Sequence, residues 1–158
     1  AFVLGAARVF AIDLVPERRA RAAALGAIAF DPADAPAIVK DQTHGRGVES
    51  VVEAAGHDAT ISLALKLASR EGTVSVIGVN QTKKFDFPMG VAFAKGLTFR
   101  IGTCSVQNEW PELVPLMQSG RLHPEKYITH ELPLSDGAEA YRLFDARTAG
   151  ALKMILVP

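Results

Sequence analysis

GTVSVIGV, residues 72–79, is an almost unbroken β-branched run. That composition suits a strand covered on both faces of a parallel sheet. Working outward from it, segments of the same kind recur between helical stretches. RVFAID (8–13) reads as a short apolar strand ending in Asp13, and Pro16 then opens an alanine-rich helix closed by Gly26. AIAFDP (27–32) is a second short strand, with Asp34 opening a brief helix after it. GVESVVEAAG (47–56) is a third strand ending in small residues. In DATISLALKLASREG (58–72), Ile61, Ala64, Leu65 and Ala68 share one helical face, and Gly72 lies past the helix end. After the 72–79 strand, NQTKKFDFPMG (80–90) is a polar loop and GLTFRIGTC (96–104) another strand.

Beyond Cys104 the spacing of Trp110, Leu113, Val114 and Met117 predicts a helix stopped by Gly120, which Pro115 should kink or shorten. YITHELPL (127–134) is extended. Ser135 can cap a helix carrying Ala140, Leu143 and Phe144, and ALKMILV (151–157) forms a closing strand. Strand and helix alternating at this rhythm predict an α/β fold with a doubly wound parallel sheet and right-handed crossovers. No internal repeat, low-complexity segment or linker interrupts the 158 residues, which read as one domain.

About half of the residues, 49%, are apolar, 22% are charged, and the formal net charge is zero. Such a surface gives no electrostatic reason to expect nucleic acid or an anionic membrane as partner. The single cysteine, Cys104, excludes an internal disulfide framework and suits a reducing, cytoplasmic setting. No apolar run reaches the roughly 18 residues of a membrane span. AFVLGAAR (1–8) lacks the flanks of a signal peptide and reads as the tail of an amphipathic helix ending at Gly5.

Ligands of a doubly wound sheet bind at the carboxyl ends of its strands, where Asp13, EAAG (53–56), IGV (77–79) and GTC (102–104) all fall. Small residues at these tips let a flat ligand approach the backbone. In dinucleotide-binding folds an acid at the end of the second strand holds the adenosine ribose, about 20 residues after a glycine-rich phosphate loop. Twelve residues precede Asp13 and none of them forms G-x-G-x-x-G. The pattern is therefore Rossmann-like but without its first strand and glycine-rich loop, and the chain is expected to begin partway through a domain. The absent strand would lie centrally, between RVFAID and VESVVEA. Both neighbours would then have open edges, so residues 1–158 alone are expected to be poorly soluble or molten.

Six segments in this order, VFAID, GVESVVEAAG, GTVSVIGV, LTFRIGTC, SGRLHPEKYITHELPLSDGAEAYRLF and ALKMILV, resemble the cofactor-binding domain of medium-chain, zinc-dependent alcohol dehydrogenases. The resemblance covers nearly the whole chain. It implies that Asp13 accepts hydrogen bonds from the adenosine ribose and, by repelling a 2′-phosphate, favours NAD over NADP. Arg18 would lie near the same ribose. Ala54 and Ala55 would line the adenine side, with His57 at its edge. Ile77, Gly78 and Val79 would run beside the nicotinamide, joined by Gly102, Thr103 and Cys104 from the next strand. Lys153 would face the pyrophosphate. The resemblance further implies hydride transfer between NAD and an alcohol or aldehyde, and a homodimer or homotetramer formed through strand 97–104. It assigns the catalytic zinc, and often a four-cysteine structural zinc, to an amino-terminal part outside this chain, because four scattered histidines and one cysteine have no metal-ligand spacing.

Plainer roles stand beside these. Asp13 could cap the helix at Pro16. Arg18 and Arg19 could form a solvated helix face, and IGV and GTC could be close-packed strand ends. Cys104 reads as a buried small hydrophobe, since nothing near it in sequence would activate a thiol. Lys153 could be a surface lysine. Lys83 and Lys84 read as solvated, and His44, His123 and His130 as residues with ordinary hydrogen bonds. At the level of function, a zinc-free quinone or enoyl reductase of the same superfamily and a non-catalytic nucleotide-sensing domain are the alternatives. Reductases of that type prefer NADP, and Asp13 argues against them.

Overall fold

The computed structural model describes every residue except 83, 147 and 149, so the expected solvation of Lys83 lies outside the described residues. The chain divides into two compact units, Ala7–Ser105 and Ala1–Ala6 with Val106–Pro158. In the first unit β1 (Phe10–Ile12), α1 (Pro16–Ala24), β2 (Ile28–Phe30), α2 (Ala35–Gln42), β3 (Val48–Glu53), α3 (Asp58–Leu67), β4 (Ala68–Val76), α4 (Met89–Lys95) and β5 (Thr98–Ile101) follow one another. β1 pairs with β2, and β3, β4 and β5 form a second sheet in that order; every pairing is parallel. The alternation and the parallel sense agree with the α/β fold read from the sequence. Among the described residues β1 and β3 each keep one edge without a strand partner.

Two apolar clusters hold this unit together. Ile61, Ala64 and Leu65 of α3 meet Ala68, Val74 and Val76 of β4, with Phe85, Phe87 and Phe99 packed alongside. Phe87 sits edge-on to Phe99 at a centroid distance of 5.1 Å, within the range aromatic pairs favour. The other side of α3 supplies Leu63 and Leu67 to a cluster with Phe10, Phe30, Ala35, Val39 and Val48. Side chains, not a shared ladder, thus connect the β1–β2 pair to the larger sheet.

Three boundaries differ from the sequence reading. α3 stops at Leu67, and Ala68, expected on its face, is instead the buried first residue of β4. The reason is local: Lys95 Nζ donates to the carbonyls of Leu65, Lys66 and Ala68 at 3.0, 2.6 and 2.6 Å, so the helix end is closed by a lysine from α4. Burial, and secondarily the charge of Arg70, lowers the pKa of that lysine. β4 ends at Val76, leaving Ile77–Val79 beyond it, and β5 ends at Ile101, short of the expected 104. α4, which begins in the last two residues of the expected loop and fills the unassigned stretch 91–95, packs Val91 into the first cluster and ends at Gly96, whose φ of 63° suits glycine.

In the second unit Phe2–Leu4 form a single 3₁₀ turn closed by Gly5 at φ 89°, not the end of an α-helix. α5 (Val106–Gln118) runs through both Pro111 and Pro115 and is not shortened, although each proline withholds one N–H from the helix. β6 (His130–Pro133) and β7 (Met154–Val157) pair in parallel, with Thr129 binding the start of β7. α6 (Gly137–Ala146) buries Ala140. Ser135 does not cap it, because a 3₁₀ turn over Leu134–Asp136 intervenes and its hydroxyl donates to Asp136 Oδ1 at 3.2 Å. No helix of the described residues is long and apolar enough to cross a membrane.

Candidate cofactor site

β1 delivers Asp13 to its carboxyl end. The Asp13 amide donates to Phe30 O at 3.4 Å, continuing the β1–β2 pairing by one residue. One carboxylate oxygen, Oδ1, accepts the Val15 amide at 2.8 Å, an Asx turn that orients the group. The position that caps α1 belongs to Val15, so Asp13 is not that cap. The other oxygen, Oδ2, is 3.7 Å from Arg18 Nη1; both side chains are more than a third exposed, so the pair is weak and water-screened. Asp13 therefore keeps an accessible acceptor.

Arg19, read from sequence as an equal candidate for a solvated face, does something else. Its Nη1 donates to the carbonyls of Asp13 and Leu14 at 2.7 and 2.9 Å and to Asp31 Oδ2 at 3.3 Å. It ties the turn after β1 to the end of β2. Adjacent arginines on a helix point about 100° apart, and only one of the two can reach under the turn.

β3 ends in a carboxylate with a different role. Glu53 is 4% exposed. Its Oε1 accepts the amides of Ala55 and Gly56, each at 2.9 Å, and the Thr60 hydroxyl at 2.7 Å. Oε2 is buried with no hydrogen-bond partner among the described residues. The main-chain carbonyl of the same residue accepts the amides of Ile77 and Gly78 at 2.8 and 3.1 Å. The Ile77 amide continues the β3–β4 ladder by one bond and the Gly78 amide shares its acceptor, and past Val76 the side chains of Ile77 and Val79 stand exposed. Ala54, Ala55 and His57 are exposed as well.

The glycines of these two tips face each other. A Cβ on Gly78 would lie 2.2 Å from Gly56 N, and one on Gly56, where φ is 76°, would lie 2.5 Å from Val79 O. Both glycines thus serve a backbone-to-backbone approach inside the protein. Gly102 is the opposite case: a Cβ there would meet nothing within 4 Å. Thr103 and Cys104 beyond it are exposed. The expectation of a buried Cys104 is corrected, because the strand ends three residues earlier and the thiol has nothing to pack against.

Lys153, in the second unit, is exposed at the start of β7, with its amide and carbonyl engaged by Thr129. Lys84 is exposed near Asp86. His123 binds Glu125 at 2.9 Å and His130 binds Thr129 at 3.0 Å, ordinary contacts as read. Among the described residues no group of three or more His, Cys, Asp or Glu side chains could hold a metal ion.

The zinc-binding dehydrogenase family profile matches residues 1–119. The chain belongs to this family. It is 42% identical over its whole length to a probable zinc-binding alcohol dehydrogenase of Mycobacterium tuberculosis, covering 41% of that protein. It is 33% identical to an L-threonine 3-dehydrogenase of Bacillus velezensis, with 98% of this chain and 45% of that protein covered. Among solved structures, an alcohol dehydrogenase from Thermus sp. ATN1 superposes with a TM-score of 0.92 at 42% identity, over 99% of this chain and 45% of that one. The chain spans less than half the length of these dehydrogenase relatives, and it shares its α/β architecture with the Thermus enzyme.

Proposed function

We propose that the strand ends of the first unit hold NAD(H) in a zinc-dependent alcohol dehydrogenase, of which these residues form the cofactor-binding part. Asp13 carries the reading: its carboxylate is oriented by one amide and retains a solvent-facing oxygen at the carboxyl end of β1. A carboxylate there accepts ribose hydroxyls and repels a 2′-phosphate. The remaining surface is compatible with a flat dinucleotide, with exposed Ala54, Ala55, Ile77 and Val79 and open space around Gly102.

Bound NAD supplies hydride acceptance at its nicotinamide ring. The chain's own task is positional: Asp13, with Arg18 beside it, fixes the ribose end. Ala54, Ala55 and His57 border the adenine, while Ile77–Val79 and Gly102–Cys104 present backbone to the ring. Lys153 is assigned to the pyrophosphate on the resemblance alone. Holding the ring in one pose is a proximity effect and contributes several kcal/mol in favourable cases, on the order of 7–11. Among the described residues no group of side chains could hold a metal ion, and in this proposal zinc belongs to other parts of the full-length protein. An alcohol or aldehyde substrate, a cytoplasmic setting and a homodimer or homotetramer through strand 97–104 complete it.

Asp13→Asn in the full-length protein tests the reading. The variant should bind NADH roughly tenfold more weakly, the loss of a charge-assisted hydrogen bond, and discriminate less against NADPH. Unchanged affinity and preference would remove Asp13 from the site. Absence of any NAD turnover with simple alcohols would favour a sensing domain.

A further inference from the structure

We infer that Glu53 is a positioning residue that fixes the adenine-side and nicotinamide-side loops of the crevice as one body. The inference rests on the proposed NAD site. No other residue described at that site bonds to both loops. Its carboxylate oxygen gathers the amides of Ala55 and Gly56 and the hydroxyl of Thr60. Its carbonyl gathers the amides of Ile77 and Gly78. The Gly56–Gly78 approach, with no room for a single Cβ, then leaves the two loops no independent position.

The burial of Glu53 makes the arrangement costly to hold for packing alone. A carboxylate that is 4% exposed, with one oxygen lacking a partner among the described residues, is an expensive way to fill space. An apolar side chain at the end of β3 would pack without that penalty, but it would accept none of the three donors. What the carboxylate adds is a defined backbone path for residues 54–57. Thr60 extends the control, since its oxygen also accepts the His57 amide at 3.2 Å where α3 begins.

The test uses the full-length protein, with each variant measured well below its unfolding midpoint. ADP-ribose binding reads the adenine side, and the emission maximum of bound NADH reads the nicotinamide side. Glu53→Gln retains an acceptor oxygen in place and should stay within about threefold of the parent in ADP-ribose Kd, with the same NADH emission. Glu53→Ala should raise the ADP-ribose Kd by tenfold or more and shift bound-NADH emission toward that of the free cofactor. Thr60→Val removes one donor and should move both readouts in the same direction by a smaller amount. If Glu53→Ala does not fold, an ADP-ribose Kd unchanged in Thr60→Val overturns the inference by itself. Variants that melt earlier but bind ADP-ribose and NADH as the parent does would reduce Glu53 to a purely structural role. Equal losses in Glu53→Gln and Glu53→Ala would show that charge, not geometry, matters. If the parent protein binds neither ADP-ribose nor NADH, the cofactor reading itself falls, and this inference with it.

Discussion

Replacing Gly78 by alanine is the most direct challenge to the geometry of the crevice. The added Cβ would sit 2.2 Å from Gly56 N, 2.7 Å from Gly56 Cα and 2.9 Å from Ala55 C, where ordinary contact begins at 3.4 Å. The tightest contact must therefore open by 3.4 − 2.2 = 1.2 Å. All three neighbours are main chain, so no rotamer change relieves the overlap and one loop has to move. Moving it strains the bonds from Ile77 and Gly78 to the Glu53 carbonyl, now 2.8 and 3.1 Å long. Overpacking of this kind costs about 1–3 kcal/mol, and a weakened hydrogen bond about 1 kcal/mol more. A total near 3 kcal/mol should lower the melting temperature of a full-length protein of its relatives' size by about 4 °C. Displacement of about 1 Å in a positioning surface costs on the order of a hundredfold in function, so NADH affinity and ring emission should change together. Gly102→Ala is the control: its Cβ meets nothing within 4 Å, so it should leave the melting temperature unaltered. Gly78→Ala with parental stability and NADH affinity would refute the reasoning.

Further outcomes can be checked on the same protein. Arg19→Met removes donors to two carbonyls and Asp31, so NADH affinity should fall several-fold, while the NAD-to-NADP preference set by the Asp13 charge is kept; a reversed preference would contradict that division. Lys95→Met uncovers three carbonyls at the end of α3 and should cost about 2 kcal/mol, read as a lower melting temperature. The Arg142 hydrogen bond holds the Glu139 carboxyl below its ordinary pKa. A carboxyl depressed in the folded state stabilises above its unfolded pKa, and that contribution is lost as pH falls through the folded value. NMR titration should show the Glu139 pKa rising in Arg142→Gln, with little change in stability because both groups are exposed and screened.

What the sequence disclosed depended on periodicity. GTVSVIGV could be read as a strand because of its β-branched content, but Val74 and Val76, both fully buried, share one face, while Thr73 and Ser75 on the other are only half-buried. Ile61, Ala64 and Leu65 were legible as a helix face from their spacing. α4 was not, since seven residues carry less than two helical turns of pattern, and Gly90 within it and Gly96 just past it suggest a loop. Arg18 and Arg19 are indistinguishable as letters; which one reaches the turn depends on helix phase, fixed by where α1 starts. Gly56 and Gly78 announce that a Cβ is unwelcome but not what stands in its place, and that is settled only when β3 and β4 come into register. Nothing in the sequence sets Glu53 apart from Glu49, the other carboxylate of its strand. The amides that surround the Glu53 carboxylate belong to its own loop, and Thr60, seven residues on, is the only hint of the clamp.

The back-to-back glycines also sort the crevice into positions that can drift and positions that cannot. Neither glycine can acquire a side chain without its opposite number retreating, so that pair has no single-step neighbours in sequence space. Ala54, Ala55, Ile77 and Val79 flank the pair with exposed side chains that touch little of the interior. Variation at those four sites can reshape the surface offered to a ligand while the backbone beneath keeps its course. A library aimed at altered cofactor or ligand preference should be confined to them, with the two glycines left untouched.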